Sequence, residues 1–136
     1  MAFSISPAAA DVIRYRIERS SVDRPVASMI DCSEGLPPSR DLTQALLRKA
    51  SKAELRDIAK REYPLDKLAF HLDVAIYSKA QHPSWVHTMI GEIPFVLPFW
   101  VRLALWNWTL DFVDGRFVLR NGDRIRHTLS GAKNAA

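Results

Sequence analysis

Cys32 is the first residue of this sequence whose chemistry could define a functional site. It is the one cysteine of the chain and lies in the segment Asp31-Cys32-Ser33-Glu34-Gly35. A thiolate binds metals and attacks electrophiles, but the carboxylates of Asp31 and Glu34 disfavour the ionised thiol. We therefore interpret Cys32 first as a small residue filling a gap at a strand end, and second as a metal ligand.

His71 and Asp73 form a second candidate site. They are two residues apart in an alternating apolar and polar sequence, so both would project from one face of a strand. A third ligand from His82, His87 or His127 would complete the two histidines and one carboxylate that bind nonhaem iron. The alternative, which we prefer, is that the pair belongs to the polar face of a half-solvated strand.

Aromatic side chains are dense in the second half of the chain. We expect most of them to be core, but the number of tryptophans exceeds what one small core accommodates. The surplus predicts a ligand pocket or a homodimer interface containing Trp85, Trp100, Trp106 and Trp108. The full group is Trp85, Phe95, Phe99, Trp100, Trp106, Trp108 and Phe112.

Basic residues concentrate in two segments of a chain whose net charge is +4. Residues 40–67 contain eight basic and five acidic residues, and residues 116–136 contain five basic and one acidic. Such segments attract phosphates, which makes a nucleic-acid-binding module one hypothesis. The preferred alternatives are a solvated helical face and, for Arg116, Arg120, Arg124 and Arg126, an edge strand protected from aggregation by charge.

The elements that position these groups begin with helix signals in the first half. Ser6-Pro7 provides a capping hydroxyl and a proline at the first helical position, after a short strand at 3–5. A strand is predicted at 26–30. Helical patterns start at Asp41 and at Ser51, whose Ser-x-x-Glu sequence is a capping box, and Pro64 ends the second helix.

The second half is predicted to consist mainly of strands. Leu68 to Ile76 alternates without a break, and residues 85–90 and 93–97 form a hairpin in which Pro94 indicates an edge strand. A short helix follows at 98–105. Strands at 109–113, 116–120 and 123–126 are joined by the turns Asp114-Gly115 and Asn121-Gly122.

Length and composition favour one globular domain, and the order of the predicted helices and strands indicates the α+β class. The chain has 136 residues, 48% of them hydrophobic and 25% charged, which excludes a disordered or collagen-like chain. We predict a domain at 1–128 with a helical insertion at 36–64, and a flexible tail at 129–136. The most apolar stretch, 93–106, is shorter than a bilayer span, and no secretory signal is visible, so we expect a cytoplasmic protein without a membrane partner.

Three segments resemble the A-type iron–sulfur carriers, the HesB-like family. Residues 3–13 resemble that family's opening strand, Ser/Thr-Pro-x-Ala cap and helix, and residues 110–117 resemble its Leu-Asp-Tyr-x-x-Gly strand pair. Between them, residues 91–97 are similar to its Gly-x-x-hydrophobic strand before a short helix. The resemblance implies a scaffold of small mixed sheets, with 36–64 as an insertion.

The family's chemistry is carried by three cysteines, and this chain retains at most one of them. Cys32 matches the first, but the Cys-x-Cys pair expected after Leu119 is absent. A cluster takes about four soft ligands, so we predict no iron–sulfur cofactor. The resulting prediction is a non-enzymatic binding or adaptor protein, forming a homodimer and binding a protein partner or a small ligand. The alternatives are the nucleic-acid-binding module and, third, a metal enzyme using His71 and Asp73.

Overall fold

Two four-stranded sheets and a set of helices form an α+β fold, as predicted. The structure, a computed structural model, describes residues 2–30, 38–68, 72–81 and 87–129. The strands are β1 (Ser4–Ile5), β2 (Pro25–Ile30), β3 (Leu72–Ser78), β4 (His87–Ile90), β5 (Ile93–Val96), β6 (Thr109–Val113), β7 (Arg116–Asn121) and β8 (Arg124–Thr128). The helices are α1 (Pro7–Arg19), α2 (Arg40–Leu47), α3 (Lys52–Glu62), α4 (Leu65–Leu68) and α5 (Phe99–Ala104), with a 3-10 turn at Lys79–Gln81.

Serine hydroxyls cap the three longer helices, because the first N–H groups of a helix have no partner within it. The Ser6 hydroxyl accepts a hydrogen bond from the N–H of Ala9 at 3.1 Å, and the Ser51 hydroxyl accepts one from Glu54 at 3.2 Å. Both predicted helix starts are therefore confirmed. Ser39 caps α2 in the same way, so that helix starts one residue before the predicted Asp41.

The first sheet has the strand order β1-β6-β7-β8. Its β1 strand runs parallel to β6, with Ser4 opposite Thr109 and Ile5 opposite Leu110. The other strands form the predicted antiparallel meander. The turn between β6 and β7 is Asp114-Gly115, as expected, and both residues have the positive φ that this tight turn requires, +51° and +79°.

The second turn of the meander lies one residue later than predicted. Asn121 still pairs with Arg124, so the turn residues are Gly122 and Asp123 and not Asn121-Gly122. Gly122, with φ of +60°, occupies the first turn position, where glycine is favoured. A shift in pairing between Leu119 and Arg120 gives β8 one extra residue against β7, which the alternation of side chains did not indicate.

The second sheet has the order β3-β2-β5-β4, and it corrects the prediction for Pro94. The hairpin of β4 and β5 forms around Gly91-Glu92 as predicted, but β5 is an interior strand because its other side pairs in parallel with β2. That parallel pairing starts at Phe95, opposite Ala27. Pro94 is thus tolerated because it precedes the part of the strand that β2 pairs with.

The predicted strand from Leu68 starts later than expected. β3 begins at Leu72, while Leu68 is the last residue of α4 and donates its N–H to the carbonyl of Pro64 at 3.0 Å. Leu68 is three residues after Leu65, which fits a helix, and two residues before Phe70, which fits a strand, and this double fit explains the error. Ala75, which the alternation assigned to the polar face, is also buried.

The helices of residues 38–64 pack into the same core as the sheets. Leu42 of α2 and Ala59 of α3 are fully buried in one hydrophobic cluster with Phe95 of β5 and Leu119 of β7. Leu129, expected at the start of the tail, is buried too and donates its N–H to the carbonyl of Phe117. The remaining tail residues, 130–136, lie outside the described residues. Among the helices described, none has the length and apolar character needed to cross a bilayer.

Candidate ligand pocket

A cavity of about 280 Å³ opens between the residues that precede β1, the start of α3, and α5. Ala2 lies at its edge. The apolar walls are Phe3, Leu55, Phe99, Leu103 and Trp106. Two charged side chains, Lys52 and Arg102, complete the lining.

Helical spacing divides α5 into a core face and a pocket face. Trp100, Val101 and Ala104 are buried in the core. Phe99 and Leu103 are four residues apart and therefore lie on the same side of the helix, and Arg102, three residues after Phe99, is next to them. This amphipathic pattern places a cation next to two apolar side chains in the pocket wall.

The position of Trp106, just after α5, is fixed by α3. The guanidinium of Arg56 lies over the indole ring, 4.4 Å from its centroid, in a cation–π contact. Four residues later, Lys60 donates a hydrogen bond from Nζ to the Trp106 carbonyl at 3.0 Å. The aromatic wall of the pocket is thus held by two side chains of α3.

Positively charged side chains of α3 lie at the pocket and beside its Trp106 wall. Lys52, Arg56 and Lys60 follow one another at a spacing of four along α3, and within the described ranges none of them forms an ion pair with a carboxylate. Partial burial lowers the pKa of Lys60, and the neighbouring charge of Arg56 adds to this, while Asp57 acts in the opposite direction. The rim therefore favours negative over positive ligands.

The predicted tryptophan group is divided by the structure. Trp106 lines the pocket, whereas Trp100 is 3% exposed and belongs to the core. Trp108 is half-buried and packs against that core. Trp85 lies outside the described residues. The predicted homodimer interface stays a prediction.

The metal-binding candidates are only partly described. Cys32, His71 and His82 lie outside the described residues, and Asp73 is on β3. His87 starts β4 in one sheet and His127 is on β8 in the other. In the part of the chain that the structure covers, no three His, Cys, Asp or Glu side chains are grouped to hold a metal ion. With one cysteine per chain, the donor set does not fit an iron–sulfur cluster.

The two end segments that resemble the A-type carriers lie side by side. Asp111 on β6 accepts hydrogen bonds from the Ser6 hydroxyl at 2.5 Å, its neighbour Phe112 at 2.8 Å and Arg120 Nε at 2.8 Å. Burial raises the pKa of the Asp111 carboxyl, but these hydrogen bonds and the Arg120 charge outweigh it, so the pKa is lowered overall. The start of α1 is thereby fastened to β6 and β7.

The basic residues predicted at the end of the chain differ in their surroundings. Arg120 is held by Asp111 and by the Gly122 carbonyl, at 2.8 and 2.7 Å. Arg116, Arg124 and Arg126 are exposed. The nucleic-acid-binding alternative stays a prediction, which a gel-shift titration at two salt concentrations would test.

Sequence reasoning missed most of the pocket residues. Lys52 lies in the charged segment 40–67 and Arg102 in the apolar stretch 93–106, and neither is among the predicted site residues. Two signals were present: cations spaced by four on α3, and a single arginine inside the most apolar part of the chain. Neither signal indicates that α3 and α5 are neighbours, which is a property of the tertiary structure.

Comparisons of the chain with known protein families, with curated proteins and with solved structures found no match. The function is therefore argued from the geometry of the pocket. Its features are an apolar interior, an aromatic wall held in place by α3, and a positively charged rim.

Proposed function

We propose that this is a non-enzymatic binding protein that holds a small, largely apolar ligand in the pocket between α3, α5 and the residues that precede β1. The observation that carries the proposal is the cavity itself, whose described walls are mostly apolar or aromatic. At ~30 Å³ per water-sized group, its volume suits a ligand on the order of ten non-hydrogen atoms. Lys52 and Arg102 are the charged residues of the wall that the structure describes, and both are hydrogen-bond donors suited to binding anions.

We propose that the scaffold is similar to that of the A-type iron–sulfur carriers, with the cluster-binding function lost. The parallel pairing of β1 with β6 supports this, since it joins the two segments that carry the resemblance. The single cysteine supports the loss of the cluster. A homodimer in the cytoplasm remains part of the proposal, and light scattering coupled to size exclusion tests the oligomeric state.

Titration calorimetry with 1-octanol and octanoate, two molecules of suitable size, tests the proposed pocket. We expect saturable binding of at least one of them to the unaltered chain. Leu103→Trp should abolish it, because the larger side chain fills the cavity. Ile125→Trp is the matched control, since Ile125 is 50% exposed on β8, the strand farthest from β1 in its sheet.

Two results would contradict the proposal. One is the absence of saturable binding of either molecule to the unaltered chain. The other is equal loss of binding in Leu103→Trp and Ile125→Trp, which would separate binding from the pocket. Thermal melting of each variant verifies that it is folded before titration.

A further inference from the structure

We infer that the ligand is an amphiphilic carboxylate whose negatively charged head group is held by Arg102 and Lys52 at the edge of the pocket. This inference rests on the proposed function and specifies the chemical class of the ligand. The inference depends on the charged side chains beside the apolar cavity and on the hydrogen bonds and ion pairs formed around them.

Arg102 is positioned to receive a carboxylate. Its Nη1 donates a hydrogen bond to the Thr88 hydroxyl of β4 at 3.1 Å, which fixes the side chain between the second sheet and the pocket. A guanidinium has five N–H donors, so this bond leaves donors that can bind both oxygens of a carboxylate. No carboxylate of the described residues pairs with Arg102, although the residue is half-buried.

Lys52 adds a second positive charge at the same cavity. The nearest carboxylate in the sequence, that of Glu54, is directed to Arg48, with Arg48 Nη1 and Glu54 Oε2 2.5 Å apart. The pocket edge thus keeps its positive charge, and Arg56 and Lys60 extend it along α3. A negatively charged ligand gains from this arrangement, and a positively charged one is repelled.

The volume between the apolar walls limits the size of the uncharged part of the ligand. A chain of about eight carbons with a carboxylate has roughly the ten non-hydrogen atoms that the cavity suits. A membrane lipid with two long acyl chains has several times more non-hydrogen atoms than the cavity suits. The ligand class is therefore a free single-chain or single-ring carboxylate, for which octanoate is the probe.

Three probes of equal chain length separate charge from apolar contact: octanoate, 1-octanol and octylamine. Calorimetric titration of the full chain at low salt should show octanoate binding about tenfold or more tightly than 1-octanol, and octylamine most weakly. Added salt should reduce the difference in affinity between octanoate and 1-octanol, because the charged head group lies at the exposed edge of the pocket.

The variant Arg102→Gln tests whether the preference for octanoate depends on this one side chain. We expect it to weaken octanoate binding about tenfold and 1-octanol binding by a much smaller factor, because a hydrogen bond to a charged acceptor is stronger than one to a neutral hydroxyl. Arg102→Lys keeps the charge but removes the planar fork, so it should give an intermediate loss. Arg126→Gln, an exposed position on β8, is the control for the same change in net charge.

The outcomes distinguish this inference from the proposed function. Equal affinity for octanoate and 1-octanol, with both lost in Leu103→Trp, would overturn the carboxylate and leave the pocket standing. Equal weakening in Arg102→Gln and Arg126→Gln would overturn the role of Arg102, because the effect would then come from net charge alone. If none of the three probes binds saturably, both the inference and the proposed function fail.

Discussion

Asp111 connects three parts of the fold through one carboxylate. Its partners are the residue that caps α1, a backbone N–H of β6 and an arginine of β7. We expect Asp111→Asn to lower the free energy of unfolding by about 1–3 kcal/mol, because hydrogen bonds to a charged acceptor are stronger than those to a neutral one. Urea denaturation at pH 7 measures this, with the exposed Asp123→Asn as control. A loss no larger than that of the control would contradict the argument.

The lowered pKa of Asp111 leads to a prediction for the stability of the protein in acid. Its pKa is lowered in the folded protein, so its stabilising effect is complete above the unfolded pKa of about 3.9. The effect is lost as the pH falls through the folded pKa. The difference in unfolding free energy between the unaltered chain and Asp111→Asn should therefore stay constant from pH 7 to about 5 and shrink below about 4. A difference that does not change over this range would contradict the assignment.

Two helix caps with different surroundings provide a matched comparison. The Ser51 hydroxyl caps α3 at an exposed site, so Ser51→Ala should cost about 1 kcal/mol of stability. The Ser6 hydroxyl caps α1 and also donates to Asp111 from a buried position, so Ser6→Ala should cost about 1 kcal/mol more. Urea denaturation of both variants checks this order, and equal losses would show that the bond to Asp111 contributes little.

Helices and tight turns were predictable because their signals are local. Ser6, Ser51 and Asp114-Gly115 specify a cap or a turn within a few residues, and the structure confirms all three. The parallel pairings of β1 with β6 and of β2 with β5 have no such signal, since no turn joins the strands. Pro94 was therefore assigned to an edge: the prediction included its hairpin partner β4 but had no means of finding β2.

In the part of the chain that the structure describes, one hydrophobic cluster joins the helices of residues 38–64 to both sheets. We therefore expect a single cooperative unfolding transition. Far-UV circular dichroism, which reports on the helices, and fluorescence of the four tryptophans, which include buried Trp100, should give the same urea midpoint. Two separated midpoints would mean that the helical segment unfolds independently of the sheets.

The candidate site could be predicted only in outline. The sequence indicated a tryptophan-rich ligand region in the second half, and Trp106 and Phe99 do line the pocket. The other wall comes from Phe3 and from α3, which are remote in sequence and meet α5 only in the folded chain. Composition identifies residues able to bind an anion, but only the packing of α3 on α5 selects Lys52 and Arg102 among nineteen cations.

The pairing of β1 with β6 has a consequence for biosynthesis. Residues 4 and 5 leave the ribosome long before residues 109 and 110 are made, and a contact between such distant segments forms slowly. Phe3 and Trp106, which both line the pocket, are almost as far apart in the sequence. A nascent chain that has not yet reached Trp106 therefore lacks part of the pocket wall, so we expect a ligand to assist folding only after this segment has been made.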